Sequence, residues 1–398
     1  MIPTKPHLPC RPALVLATAF CLTIVFAQAQ TFTVLRTFTN QGDAFYPTSG
    51  LLLDNTGAMY GAAAGGSYDY GAIFVLGPDG KDKVVHSFWG PDGLYPNRLI
   101  KDKAGNFYGT TKEGGTPEGG SCFHGCGTVF KMDPSGKVTV LYTFTGGADG
   151  SQPLGGLIMD EAGNRYGTTS AGGASYGGVI FKLDPQGHET VLHSFLFDRE
   201  NGGWYPWGEL IRDEEGNFYG VTAAGGPADS GTIFRITPAG DFTTLYNFQG
   251  SSAGDSPNGP IIRDSQGNFY GTTVNGGGQF DDGTVFKVDS KGNETILHSF
   301  TGGADGATPY TALTRDDNTG NFYGATLGGG SNNCGTIFKV EPNGTESVIY
   351  SFNCSTDGSG PYGLLILDQD GNLYGTAYQG GDPACRYGGC GTAFKFAP

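Results

Sequence analysis

The sequence predicts an all-β fold, a seven-bladed β-propeller of four-stranded antiparallel blades, and three observations carry that prediction. A unit of about 52 residues recurs seven times, with its tyrosine at Tyr60, Tyr108, Tyr166, Tyr219, Tyr270, Tyr323 and Tyr374; a fixed period of this size marks stacked supersecondary units. Each unit holds four short β-type runs separated by turn residues, with no amphipathic helix among them. The chain also opens on a run of the type that its last unit lacks.

The third unit shows the elements in order. Its runs are 156–160, 164–169, 178–183 and 190–195. The first two are joined by Asp160-Glu161-Ala162-Gly163 and the last two by Asp184-Pro185-Gln186-Gly187. Proline presets one turn dihedral, glycine takes positive φ, and aspartate bonds nearby main-chain N–H groups. The first-turn residues Asp54, Asp102, Asp160, Asp213, Asp264, Asp316 and Asp368 therefore read as structural. The third run contains Gly-Thr-Val/Ile-Phe-Lys, with its ring at Phe74, Phe130, Phe181, Phe234, Phe286, Phe338 and Phe394. Short apolar runs suit sheets covered on both faces by neighbouring blades. A linear β-solenoid, the competing architecture, has a shorter repeat and fewer hairpin turns. Phe32-Thr33-Val34-Leu35-Arg36-Thr37-Phe38 is an outer-strand run, and the chain ends on the third-strand run Gly391–Phe396. The first run is expected to complete the last blade and hide its edge.

At 398 residues the chain exceeds the usual reach of one hydrophobic core; a repeat array escapes that limit because each unit packs only on its neighbours. The 71 glycines lack a Gly-X-Y period, which excludes collagen, and 27 Phe with 20 Tyr argue against disorder. A formal net charge of −15 disfavours nucleic acid and anionic membrane surfaces. Residues 1–29 read as a signal peptide. Lys5 and Arg11 precede the apolar stretch Ala13–Phe26, and Ala27-Gln28-Ala29 offers cleavage after Ala29. The expected mature domain is 30–398, secreted or periplasmic, with no further stretch apolar enough to span a bilayer. A monomer is expected. A lipid anchor at Cys21 competes with simple export, but the bulky Phe20 before it fits that poorly.

Two of the eight cysteines fall in the leader. Cys334 and Cys354 each lie ten residues from the turn at Gly344, so they should face each other across a hairpin. Cys122 with Cys126, and Cys385 with Cys390, flank short segments of single loops. Three disulfides follow, in keeping with an oxidising compartment. A metal site at Cys122, His124 and Cys126 lacks a fourth ligand.

The recurring pattern Gly-Asn-Phe/Leu-Tyr-Gly-Thr-Thr, then Gly-Gly, then Gly-Thr-Val/Ile-Phe-Lys-x-Asp-Pro-x-Gly resembles the GloVer (Gloeo/Verruco) tandem-repeat family over essentially the whole mature chain. The resemblance implies an exported bacterial propeller-like protein and carries no activity with it. The strand order is also similar to NHL and SMP-30-like propellers, whose metal ligands have no residue-by-residue match here. The first unit departs most, with Ala58-Met59 in place of Asn-Phe and Val75 in place of Lys.

Strand direction sends the tight turns to one face and the longer loops to the other, where function concentrates on such scaffolds. Those loops present Asp43, Asp92, Asp149, Asp255, Asp305 and Asp357. Several carboxylates could coordinate Ca²⁺, while the simpler reading is repeated turn chemistry; no cofactor is firmly implied. The same loops carry Tyr46, Tyr95, Trp204, Tyr205, Tyr310 and Tyr362. Aromatic faces beside polar groups suit sugar rings, and Trp204 is the leading candidate because the other units lack Trp there. His86, His193 and His298 share a position with Tyr142, Tyr246 and Tyr350, which marks packing. No nucleophile triad, zinc signature or phosphate loop stands out. The expected function is an exported non-enzymatic binding or scaffold propeller whose loop-rich face holds a glycan or protein ligand. The first alternative is a polysaccharide-active hydrolase or lyase, with the Asp198 and Glu200 insertion as the place to look. The second is a structural envelope protein.

Overall fold

The computed structural model describes residues 30–40, 44–78, 80–115, 122–197, 202–385 and 388–398. Asp43, Asp198, Glu200 and the leader lie outside the described residues. Seven antiparallel sheets form the blades of a propeller, with no α-helix among the described residues. The fourth blade is typical: Trp204–Pro206 and Ile211–Arg212 make the innermost strand, followed outward by Phe218–Ala224, Thr232–Ile236 and Phe242–Asn247. In the seventh blade the outermost place is taken by Thr31–Thr37, which pairs antiparallel with Thr392–Ala397 from Thr31 opposite Ala397 to Thr37 opposite Thr392. The expected closure of the ring is thus present, and it joins the first and last described strands by main-chain bonding.

The core is not central. It is divided into seven apolar clusters, each drawn from two successive blades. One contact recurs at every seam. The phenylalanine that ends an outermost strand meets the third-strand phenylalanine of the next blade edge-to-face, as in Phe88–Phe130 (5.2 Å), Phe144–Phe181 (5.1 Å), Phe248–Phe286 (5.0 Å) and Phe352–Phe394 (5.2 Å). Phe38 makes the same contact with Phe74 across the closure, at 5.0 Å. Such pairs add about 0.5–1.5 kcal/mol each beyond the area they bury. The glycine after the repeated tyrosine makes room for the third-strand ring. A Cβ on Gly271 would fall 2.7 Å from the Phe286 ring, closer than real carbon contacts come.

The turn aspartates act as the sequence reading has them. Asp264 accepts main-chain N–H bonds from Gln266 and Asn268, a side-chain bond from Asn268, and the Tyr270 hydroxyl at 3.1 Å. Asp102, Asp160, Asp213 and Asp368 receive the corresponding tyrosine hydroxyls at 2.8–3.0 Å. The repeat tyrosine thereby ties each second strand to its own turn.

Three disulfides are formed: Cys122–Cys126, Cys334–Cys354 and Cys385–Cys390. Each involves the residue before a third-strand Gly-Thr, and Cys126, Cys334 and Cys390 are buried. Their carbonyls accept N–H bonds from Gln152, Gly360 and Tyr46 of the next blade. The same cross-seam bond is made by the Tyr70, Ser230 and Asp282 carbonyls, so the bridges lie beside the seams while each braces its own blade.

Candidate functional site

The innermost strand differs from its expected form, and the difference builds the site. In the fourth blade Pro206 pairs with Thr222 and Ile211 with Tyr219, so five steps on the inner strand oppose three on its neighbour. The extra residues bulge toward the axis, and bulges of this kind re-aim side chains. The residue before each proline is left-handed in all seven blades, with φ of 54–61° at Tyr46, Tyr95, Gln152, Tyr205, Ser256, Thr308 and Gly360. Six of these seven are not glycine. Non-glycine residues in this region carry backbone strain, which clusters at functional sites.

The bulges enclose a cavity of about 700 Å³ that opens on the long-loop face, within the ordinary range for ligand pockets. One part of its wall is aromatic. Tyr205 and Trp207 stack with centroids 6.5 Å apart, Trp207 meets Tyr310 edge-on at 6.2 Å, and Tyr310 packs on Tyr362 at 5.1 Å. The series continues through Tyr378 at 6.1 Å to Tyr46 at a further 5.1 Å. Burial, followed by the neighbouring Tyr310 hydroxyl, raises the Tyr362 phenol above its ordinary pKa; burial alone raises Tyr378. These hydroxyls stay neutral donors at any physiological pH.

The facing wall, from the second and third blades, is polar: Asn97, Arg98, Lys112, Gln152 and Ser170. Asn97 is fixed by side-chain bonds to the Pro153 carbonyl (2.7 Å) and Thr110 Oγ1 (2.9 Å). Deepest lies an ion pair across blades, in which Arg98 Nη1 donates to Glu209 Oε2 at 2.7 Å. Arg98, but not Glu209, also lines a second cavity of about 440 Å³, so the guanidinium end of the pair marks a waist between the two.

The structure distributes the sequence candidates unevenly. Tyr95, Tyr205, Tyr310 and Tyr362 line the cavity, and Tyr46 stands at the end of the aromatic series. Trp204 is 8% exposed, packs on Phe197 at 4.7 Å and does not line it. Strand alternation explains this: Tyr205 and Trp207 point to one side of the strand, Trp204 and Pro206 to the other. Trp207, Arg98, Lys112 and Glu209 escaped the sequence reading. For Trp207 the signal available was the column that follows each inner-strand proline, where the repeats diverge, and for Arg98 and Glu209 the column before the inner-strand leucine; Lys112, on the second strand, lies outside both.

The loop aspartates are engaged locally. Asp149 accepts the Tyr142 hydroxyl (3.0 Å), the Thr145 N–H (2.8 Å) and the Thr145 hydroxyl (2.6 Å). Asp305 accepts the N–H and hydroxyl of Thr301 and lies 3.3 Å from His298 Nε2. Asp92 bonds the Trp89 N–H beside His86, Asp357 the Tyr350 hydroxyl and Asn353 N–H, and Asp255 the Ser256 hydroxyl. Among the described residues no group of three or more His, Cys, Asp or Glu is arranged to hold a metal ion. No helix among them is long and apolar enough to cross a membrane.

A family model described as the Gloeobacter/Verrucomicrobia repeat matches residues 124–319 and 315–398. No curated protein matches significantly. Among solved structures, a Bacteroides uniformis protein provisionally described as a 6-phosphogluconolactonase is similar at 15% identity and a TM-score of 0.51, over 83% of this chain and 89% of that one. A Thermus thermophilus protein provisionally described as an oxidoreductase (glucose dehydrogenase) gives 14% identity and a TM-score of 0.45, over 92% and 100% of the two chains. At 15% identity the likeness to the Bacteroides protein is one of fold.

Proposed function

This chain belongs to the Gloeobacter/Verrucomicrobia repeat family, and we propose that it is an exported carbohydrate-binding propeller that takes its ligand into the mouth of the central channel. The observation that carries this reading is the run of contacting rings from Tyr205 through Trp207, Tyr310 and Tyr362, facing a polar wall across a cavity of about 700 Å³. Sugar rings present apolar C–H faces to aromatic surfaces and hydroxyls to polar partners, so a two-sided cavity matches both. Export agrees with the three disulfides.

Hydrolysis by paired carboxylates finds less support at this cavity. Such chemistry needs two carboxyl groups about 5–10 Å apart, and Glu209 is the one carboxylate among the cavity's described lining residues. It is held by Arg98. The test is retention of the mature protein on immobilised polysaccharides, with released sugar assayed in the supernatant. Retention that Trp207→Ala abolishes is the expected result. Release of sugar, or retention indifferent to Trp207, would overturn the reading.

A further inference from the structure

The charge on the channel walls runs against that of the molecule. The chain carries 23 Lys and Arg against 38 Asp and Glu. The charged residues lining the upper cavity are Arg98, Lys112 and Glu209. Those lining the lower one are Arg98 again, with Arg263, Arg315 and Asp317. Among the described lining residues four cations thus stand against two carboxylates in an acidic protein, with Lys112 also 3.7 Å from Glu113 Oε1. A concave site with low-dielectric walls focuses the field of such groups and favours a ligand of opposite sign.

The ion pair at the waist is a built feature and breaks the repeat. In the other five blades the residue before the inner-strand leucine or isoleucine is Gly50, Gly156, Pro260, Ala312 or Leu364; only Arg98 and Glu209 are charged there. The second blade reaches this arrangement with a shorter bulge, since Pro96 pairs with Thr111 and Ile100 with Tyr108, four steps against three. The third blade leaves room for it. A Cβ on Gly156 would fall 2.7 Å from Glu209 Cδ. Three successive blades are therefore shaped around one guanidinium–carboxylate contact. Arg98 uses a single Nη1 bond there, and its buried Nε has no partner. A guanidinium presents a fork that matches carboxylates in a bidentate manner, so its pairing with Glu209 leaves binding capacity unused.

We propose that the ligand is an acidic sugar chain, whose uronate carboxylate bonds the unused donors of Arg98 beside Glu209 while its rings pack on Trp207, Tyr310 and Tyr362. This rests on the carbohydrate-binding reading above and narrows it. Glu209 keeps the guanidinium partnered in the free protein and competes with the ligand's carboxylate for it. An unpaired charge in such a site would be costly.

The test is calorimetric titration of the mature protein with trigalacturonate and with the same trisaccharide after reduction of its carboxyls to hydroxymethyl groups. The acidic form should bind at least about tenfold tighter, with an affinity that weakens as salt is raised. Glu209→Gln, which removes the competing carboxylate, should tighten uronate binding several-fold. Arg98→Gln should abolish the preference between the two sugars. The opposite signs of these two variants separate a ligand effect from a folding defect, and thermal unfolding of each provides the control. Equal binding of both sugars, or a preference that survives Arg98→Gln, would overturn the acidic-sugar proposal and leave the carbohydrate reading standing. Binding of neither sugar would overturn the proposal; the polysaccharide panel, read through Trp207→Ala, then decides the broader reading separately.

Discussion

At the blade seams one edge-to-face phenylalanine contact recurs around the ring, from Phe38 on Phe74 to Phe352 on Phe394. At the channel wall, the residue after the repeated inner-strand proline is Thr48, Asn97, Leu154, Trp207, Asn258, Tyr310 or Tyr362. Both regions are made by the same seven repeats. The seam must close on itself, so each unit has to present the same shape to its neighbour. The wall faces space, and each unit is free to present a different side chain. Uniformity at a position therefore reports packing, and divergence reports what the channel holds.

Four substitutions or conditions sharpen that contrast. Phe286→Ala should cost the most, about 3–5 kcal/mol in denaturant unfolding, since it empties a fully buried ring site at a seam. A loss below about 1 kcal/mol would mean that the seams are not what stabilises the ring. Tyr270→Phe removes a hydrogen bond to the Asp264 carboxylate and should cost about 1.5–3 kcal/mol.

The pH dependence should have two limbs of opposite sign. Burial pushes the Asp264 carboxyl up, but bonds from Asn268 and Tyr270 outweigh it and hold the group below 3.8. Asp102, Asp160, Asp213 and Asp368 are lowered in the same way. Their contribution is fully present above pH 3.8 and is lost as pH falls further. Glu189 and Glu346 behave oppositely. Burial, followed by the charges of Asp149 and Asp305 respectively, raises them from 4.5 to about 7. Their contribution is present below pH 4.5 and lost as pH rises through about 7. Glu189→Gln should thus raise stability at pH 8 by roughly 1 kcal/mol, after discounting for solvent screening, and change little at pH 4. A uniform change at both pH values would contradict the assignment. A comparably small effect on stability belongs to the channel wall: Trp207→Ala should cost about 1 kcal/mol, the order of its ring contacts with Tyr205 and Tyr310, while polysaccharide retention is lost.

The sequence made the seams and turns legible because they repeat. The tyrosine and its turn aspartate, the third-strand phenylalanine and the three cysteine pairs all lie where the register puts them. The closure by Thr31–Thr37 was readable for the same reason. Five of the aromatic candidates also belong to the channel mouth, because tyrosine beside proline stood out in the loops. Trp204 did not line the cavity: its uniqueness was visible, but its strand face could not be assigned without knowing where the inner strand begins. The bulge between Pro206 and Ile211 has no local signature beyond that proline, so Trp207 and Glu209 were hidden in what read as the start of a strand. Arg98 and Glu209 are 111 residues apart, and only the ring brings them to 2.7 Å.

The chain has three tryptophans, Trp89, Trp204 and Trp207, which allows a direct test of the claim that the divergent channel wall is the binding surface. With Trp89→Phe and Trp204→Phe combined, fluorescence reports on Trp207 alone. Titration with an oligosaccharide from the polysaccharide that retains the protein should then give a saturable change in its emission. A ligand that binds with the same affinity yet leaves Trp207 emission unmoved would place the site elsewhere and contradict the account.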